Sequence, residues 1–213
     1  MSKVVVFNHM TLDGVMQAPG RPDEDLRGRF EHGGWASSRM DSVMGEVVAE
    51  AMAKAAALLL GRRTYEDFAA FWPKQKDNPF TAVLNDSQKY VASRTLKEPL
   101  SWINSTLLEG DAAEAVAGLK EKSPQDLVVL GSGEFIQSLM RHNLVDLYVL
   151  MIHPVVMGSG RRLFPDDGSF AALRLVDTKA TTTGVVIATY EPAEAAVGRS
   201  QLESESSSAR GEG

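Results

Sequence analysis

Cysteine is absent from all 213 residues. That absence removes disulfides, thiolate nucleophiles, zinc fingers and iron–sulfur clusters together. Histidine is scarce: His9, His32, His142 and His153 are scattered and form no His-Glu-x-x-His pair, so no metal centre is expected. Long apolar runs are missing too. No stretch approaches the length that crosses a bilayer, and the run from Val4 to Phe7 has the length of a strand, not of a secretory leader. The cytoplasm is the expected compartment. There is no excess of basic charge. A net charge of −6 disfavours nucleic acid or an anionic membrane as the main partner, yet tolerates a local basic pocket for phosphate. No Tyr-x-x-x-Lys occurs at Tyr65, Tyr90, Tyr148 or Tyr190, which argues against a short-chain dehydrogenase.

What remains is the content of one ordinary globular domain, 44% hydrophobic and 23% charged. A chain of this length buries roughly 70% of its unfolded surface and needs no covalent staples. The patterns predict strands at 3–9, 55–60, 88–93, 100–104 and 127–131, and helices at 38–54, 63–71, 79–86, 111–122 and 134–142. Three strands follow, at 145–154, 173–182 and 184–190. The fold class is therefore α/β, a mixed and mostly parallel sheet flanked by helices, with antiparallel C-terminal strands. A methionine-rich stripe, Met40, Met44 and Met52, reads as core. Residues 1–192 form the domain. From 193 to 213 the composition turns to Ser, Glu and Gly, which buries too little apolar surface to offset ordering, so a disordered tail is expected.

Three strand ends carry the chemistry. The apolar run Asp126 to Leu130 ends in Gly131-Ser132-Gly133 and opens into a helical pattern at Glu134. Glycines permit a sharp turn, and the helix start aims unpaired N–H groups and a positive dipole end at any phosphate nearby. The dinucleotide fingerprint asks for a third glycine where this chain has Ile136, and Asp146 comes too early for a ribose contact. Read alone, this is a glycine turn joining strand to helix. Ala55 to Leu60 likewise runs into Gly61-Arg62-Arg63-Thr64, and Lys89 to Ala92 into Ser93-Arg94-Thr95. Arg94 taken alone is a solvated charge, and Thr64 a helix cap. Together they suggest one cradle, because ligands of open α/β sheets collect at the carboxyl ends of strands.

Further motifs fall in a fixed order: Thr11-Leu12-Asp13-Gly14, then Gly61-Arg62-Arg63-Thr64-Tyr65-Glu66, Ser93-Arg94-Thr95-Leu96, Gly131-Ser132-Gly133, and His153-Pro154 through Gly158-Ser159-Gly160 with Leu163-Phe164. Over roughly residues 3 to 191 the chain resembles the dihydrofolate reductase-like family, of the type of the RibD C-terminal domain, the reductase domain of the bifunctional riboflavin-biosynthesis enzyme.

The resemblance implies NADPH as cofactor, with its pyrophosphate near Gly131, Ser132 and Gly133 and further phosphate contacts from Arg62, Arg63 and Thr64. It implies Ser93 and Arg94 beside the adenosine 2′-phosphate, a role that suits the planar guanidinium fork. Gly158 resembles the family's glycine turn near the nicotinamide. Asp13 is the expected substrate-binding and catalytic carboxylate, against the plain reading of an Asp-Gly turn. Trp35 either stacks on a flat ring or anchors a surface loop.

A hydride transfer to a small pterin-like or ribosylaminopyrimidine-like ring follows from the resemblance, and a homodimer is consistent with it. The bifunctional enzyme also carries a zinc deaminase domain, which this cysteine-free chain lacks. A non-catalytic NADP(H)-binding dimeric scaffold or sensor is the alternative.

Overall fold

Strand β1 (Val4–Thr11) is apolar on both faces because it runs through the middle of a sheet covered on both sides. Val4 and Val6 enter one core with Leu59, Val129, Ile136 and Leu139. Val5 and Phe7, alternating to the other face, meet Met44, Met52, Leu58 and Leu60. The computed structural model describes residues 2–76, 78–167 and 170–193.

The other strands are β2 (Ala55–Gly61), β3 (Gln88–Ala92), β4 (Ser105–Leu107), β5 (Asp126–Leu130), β6 (Leu147–His153), β7 (Leu173–Ala180) and β8 (Val186–Pro192). They form one sheet in the order β4-β3-β2-β5-β1-β6-β8-β7. Pairing is parallel from β4 to β6, while β8 runs antiparallel to both β6 and β7. The crossovers carry α1 (Ser42–Lys54), α2 (Arg62–Phe71), α3 (Pro79–Asp86), α4 (Ala112–Lys122) and α5 (Gly133–Arg141).

Three of these helices start on a side-chain cap. Asp41 accepts from Met44 N–H, Asn78 from Phe80 N–H, and Asp111 from Ala113 and Glu114 N–H. The Asp41 cap explains why α1 begins at Ser42 and not at the expected 38. The predicted strand at 100–104 is not formed. Trp102 is buried there, its backbone N–H donating to the Tyr65 hydroxyl and its indole N–H to Asn85, and Asn104 turns the chain with a positive φ of 56°. The edge strand starts one residue later, at Ser105.

Ala193 N–H still bonds to Ala172 O, so the ordered chain runs at least one residue past the expected boundary. The rest of the predicted tail, 194–213, lies outside the described residues. Among the described residues no helix is long and apolar enough to cross a membrane, and no group of three or more His, Cys, Asp or Glu is placed to hold a metal ion.

Candidate functional site

The carboxyl ends of β1, β2, β3 and β5 open on a single cleft of about 1420 Å³. Parallel pairing forces this convergence, since every strand in that part of the sheet delivers its following loop to the same edge. The cleft brings together Arg62, Arg63, Thr64, Ser93, Arg94, Gly131, Ser132 and Gly133.

Its centre is the join between α2 and α5. Gly61 N–H donates to Ser132 Oγ at 2.9 Å, Ser132 N–H donates to Thr64 Oγ1 at 3.0 Å, and the Ser132 hydroxyl donates to Leu130 O at 2.9 Å. The two helix starts are thereby stitched side by side. Unlike the three capped helices, neither α2 nor α5 has a side-chain cap. Their first-turn N–H groups and dipole ends therefore face the same cleft without a side-chain cap, and the one acidic side chain in those first turns, Glu134 of α5, is exposed.

The glycines follow from local geometry. Gly131 has φ +56°, and a Cβ there would lie 3.1 Å from Thr64 Cγ2; at Gly133 a Cβ would lie 2.7 Å from Met16 Sδ. At Gly131 the left-handed backbone disfavours any side chain, whereas at Gly133 the near atoms belong to the flexible end of Met16.

The cations divide into paired and free. Arg63, Arg27 and Arg161 reach the same oxygen of Glu134, at 3.3, 3.2 and 3.5 Å, and Arg62 pairs with Glu66 one turn along α2. Such exposed pairs add little stability and exchange readily for another anion. Arg94 is exposed and makes no side-chain hydrogen bond or ion pair among the described residues. Ser93 Oγ accepts from Thr95 and Leu96 N–H, so its hydroxyl shapes the turn that presents Arg94.

Asp13, Trp35 and Gly158 do not themselves line the cleft, although Trp35 bonds to Gln17 and Asp13 to Arg162, which do. Asp13 accepts from the Thr11 hydroxyl at 2.6 Å, from Met157 N–H at 3.1 Å and from Gly158 N–H at 2.8 Å. These donors, the Thr11 hydroxyl foremost, hold its carboxyl down to about 2. Asp13 thus fastens the 157–158 turn, and Gly158 serves it as a donor from a positive φ of 73°. Of the two readings of Trp35, the anchor fits. Its indole N–H donates to Gln17 O at 2.8 Å, and its ring is buried with Val15, Ala18, Phe30 and Ala36.

From the polar segment 17–34, residues 17–19 and 24–27 line the cleft. Gln17 organises that segment. Its amide N–H groups donate to Asp25 O and Arg27 O, and its side-chain oxygen accepts from Arg161 N–H. Gly33 is packed against the backbone of Arg21 and Pro22, where a Cβ would lie 2.6 Å from Pro22 O.

Sequence reasoning missed two groups. Glu24 and Asp67 both line the cleft, and burial raises both carboxyls above their ordinary range, with Arg21 ion-paired to Asp67. His9 and His153, separated by 144 positions, meet ring to ring, Nδ1 of the first 2.9 Å from Nε2 of the second. No local motif announces that contact; it comes from the parallel register of β1 on β6, which sets Thr11 opposite His153.

An open α/β sheet with its ligand cleft at the parallel strand ends is the class defined by this arrangement. The RibD C-terminal domain family matches residues 2–187, and the chain belongs to it. The uncharacterized protein YyaP of Bacillus subtilis is 31% identical over 140 residues, 62% of this chain and 72% of that protein. A pyrimidine reductase-like protein from Corynebacterium diphtheriae superposes with a TM-score of 0.64 at 11% identity, covering 91% of this chain and 92% of its own. Dihydrofolate reductase from Enterococcus faecalis, solved with NADP(H) and RAB-propyl, gives 0.56 at 14% identity, covering 90% and 97%. The fold is dihydrofolate reductase-like.

Proposed function

We propose that this chain is an NADPH-dependent reductase that delivers hydride to a small heteroaromatic ring, in the manner of the 5-amino-6-(5-phosphoribosylamino)uracil reductases of riboflavin biosynthesis. One observation carries the reading: two uncapped helix starts and an unpaired arginine share one cleft. Backbone N–H groups of α2 and α5 suit a pyrophosphate, and Arg94 suits the extra phosphate that distinguishes NADPH from NADH. Arg62, Arg63 and Thr64 border the same phosphate path.

NADPH, when bound, supplies the hydride. The chain's own task is to hold ring against ring and exclude water. Met16 and residues 17–19 and 24–27 line the cleft, as do Met40 and, from α1, Val48 and Met52. A proton, where the acceptor needs one, is held more readily by Glu24 or Asp67 than by Asp13, since burial favours their neutral forms. Two copies of the chain pairing through β7 is the quaternary arrangement we propose. Leu175 and Val176 on that edge strand are each 49% exposed, flanked by Arg174, Asp177 and Lys179.

Fluorescence titration with NADPH and NADH, then nicotinamide absorbance decay with a panel of pterins, dihydrofolate and phosphoribosylaminopyrimidines, tests the reading. The expected result is preferential NADPH binding and its oxidation by a member of the panel. Failure to bind either nucleotide overturns it, and binding without oxidation across the panel points to a sensor.

A further inference from the structure

The polar group on the α1 side of the cleft is an imidazole. Phe7 and His9 project to the same face of β1, and with Met40, Val48, Met52 and Trp72 they wall a largely apolar lobe. Neither His9 nor His153 makes a hydrogen bond or ion pair to a carboxylate among the described residues, and the cation of Arg39 acts on His153. With burial as the main cause, His9 is held down to about 3 and His153 to about 4, so both rings are neutral at physiological pH.

Two neutral rings sharing one hydrogen bond have two possible proton arrangements. If His9 Nδ1–H donates to His153 Nε2, the proton of His153 sits on its Nδ1, an atom that is buried and has no partner. That leaves an orphaned N–H donor inside the protein. If instead His153 Nε2–H donates to His9 Nδ1, the orphan is a bare lone pair, which costs less than a stranded donor. The second arrangement obliges His9 to carry its own proton on Nε2. Among the described residues that nitrogen has no hydrogen-bond partner, and it is not among the buried unpartnered atoms, so it keeps exposure beside the cleft that His9 lines.

We infer that His9 Nε2–H is a ligand-binding donor, and that it receives a carbonyl oxygen or an unprotonated ring nitrogen of a flat, uncharged heterocycle lying in the apolar lobe. His153 acts as a positioning residue, fixing the tautomer and the ring plane. A neutral imidazole in this role polarises an acceptor without delivering a full charge. The inference rests on the proposed reductase reading only in naming the heterocycle as hydride acceptor.

The test uses the full chain and lumazine, a flat uncharged ring with two carbonyl groups, as probe. Long-range proton–nitrogen NMR of the ligand-free protein is expected to show His9 protonated at Nε2 and bare at Nδ1; the opposite tautomer, or an imidazolium at neutral pH, overturns the inference. With NADPH present, lumazine is expected to move the His9 Nε2 resonance. His9→Gln, whose amide reaches the Nε2 position, should keep lumazine affinity within about threefold, whereas His9→Asn, whose amide reaches only the Nδ1 position, should lose roughly tenfold, the worth of one neutral hydrogen bond.

Equal affinities in the two variants, or no lumazine binding by the wild-type chain, sink it. Should either variant fail to fold, the wild-type tautomer decides. NADPH affinity is read in parallel: its absence in the wild type defeats the reductase reading, while the tautomer and lumazine results still judge His9.

Discussion

Ser132 and Gly61 hold the two uncapped helices in one frame, the backbone N–H of the glycine donating to the serine hydroxyl at 2.9 Å across 71 positions of sequence. Ser132→Ala leaves that half-buried donor without a partner and also removes the bond to Leu130 O. The expected loss of stability is about 1–3 kcal/mol, a fall in Tm of about 2–10 °C. Thermal denaturation followed by circular dichroism reads it, and an unchanged Tm contradicts the bridging role.

Arg94 should discriminate between the two nicotinamide nucleotides. A charge-assisted bond to the 2′-phosphate is worth about 1.5–3 kcal/mol, so Arg94→Ala should weaken NADPH binding by roughly tenfold to a hundredfold. NADH affinity should hardly change. Paired fluorescence titrations make the comparison, and equal effects on both nucleotides dispose of the assignment.

Asp13→Asn should act on the 157–158 turn and not on proton transfer. An amide keeps one acceptor atom where the carboxylate offers two, so Gly158 or Met157 N–H is left poorly satisfied at a cost of about 1 kcal/mol. We expect a small drop in Tm, with NADPH oxidation by any active acceptor kept within about tenfold. A rate loss of about a thousandfold, with the pH profile displaced, would restore Asp13 to the chemistry.

The histidine pair should make the fold acid-sensitive. In the folded chain both rings resist protonation, whereas in the unfolded chain each binds a proton below its ordinary pKa of 6.5. Above that value neither state is protonated and the pair costs nothing. As pH falls from 6.5 towards 4 the unfolded state gains protons that the folded state refuses, and stability drops, by about 3 kcal/mol for His153 alone. Urea denaturation of the wild type and of His153→Phe across this range should show a shallower slope in the variant.

Much of this architecture was legible because it depends on short-range patterns. The apolar run from Ala55 to Leu60 and its glycine, or Asp126 to Leu130 and its Gly-Ser-Gly, state strand, turn and helix within a dozen residues, and the strand-end cradle follows from parallel pairing. What escaped depends on contacts between distant segments. Asp13 in Asp-Gly looks like a free carboxylate until the backbone of Met157 and Gly158 arrives from 144 and 145 positions away. Trp102, apolar and β-prone, argues for a strand until its two N–H groups find Tyr65 and Asn85. His9 and His153 look unrelated until register joins them.

Gln17 ties Asp25, Arg27 and Arg161 with one side chain and Trp35 with its carbonyl. The segment is therefore a cross-braced panel whose parts cannot shift independently. Any movement of this segment away from the cleft must swing it as a body or break the bonds at that amide. Asp23, exposed and outside the brace, is the position where a side-chain change leaves this bracing intact.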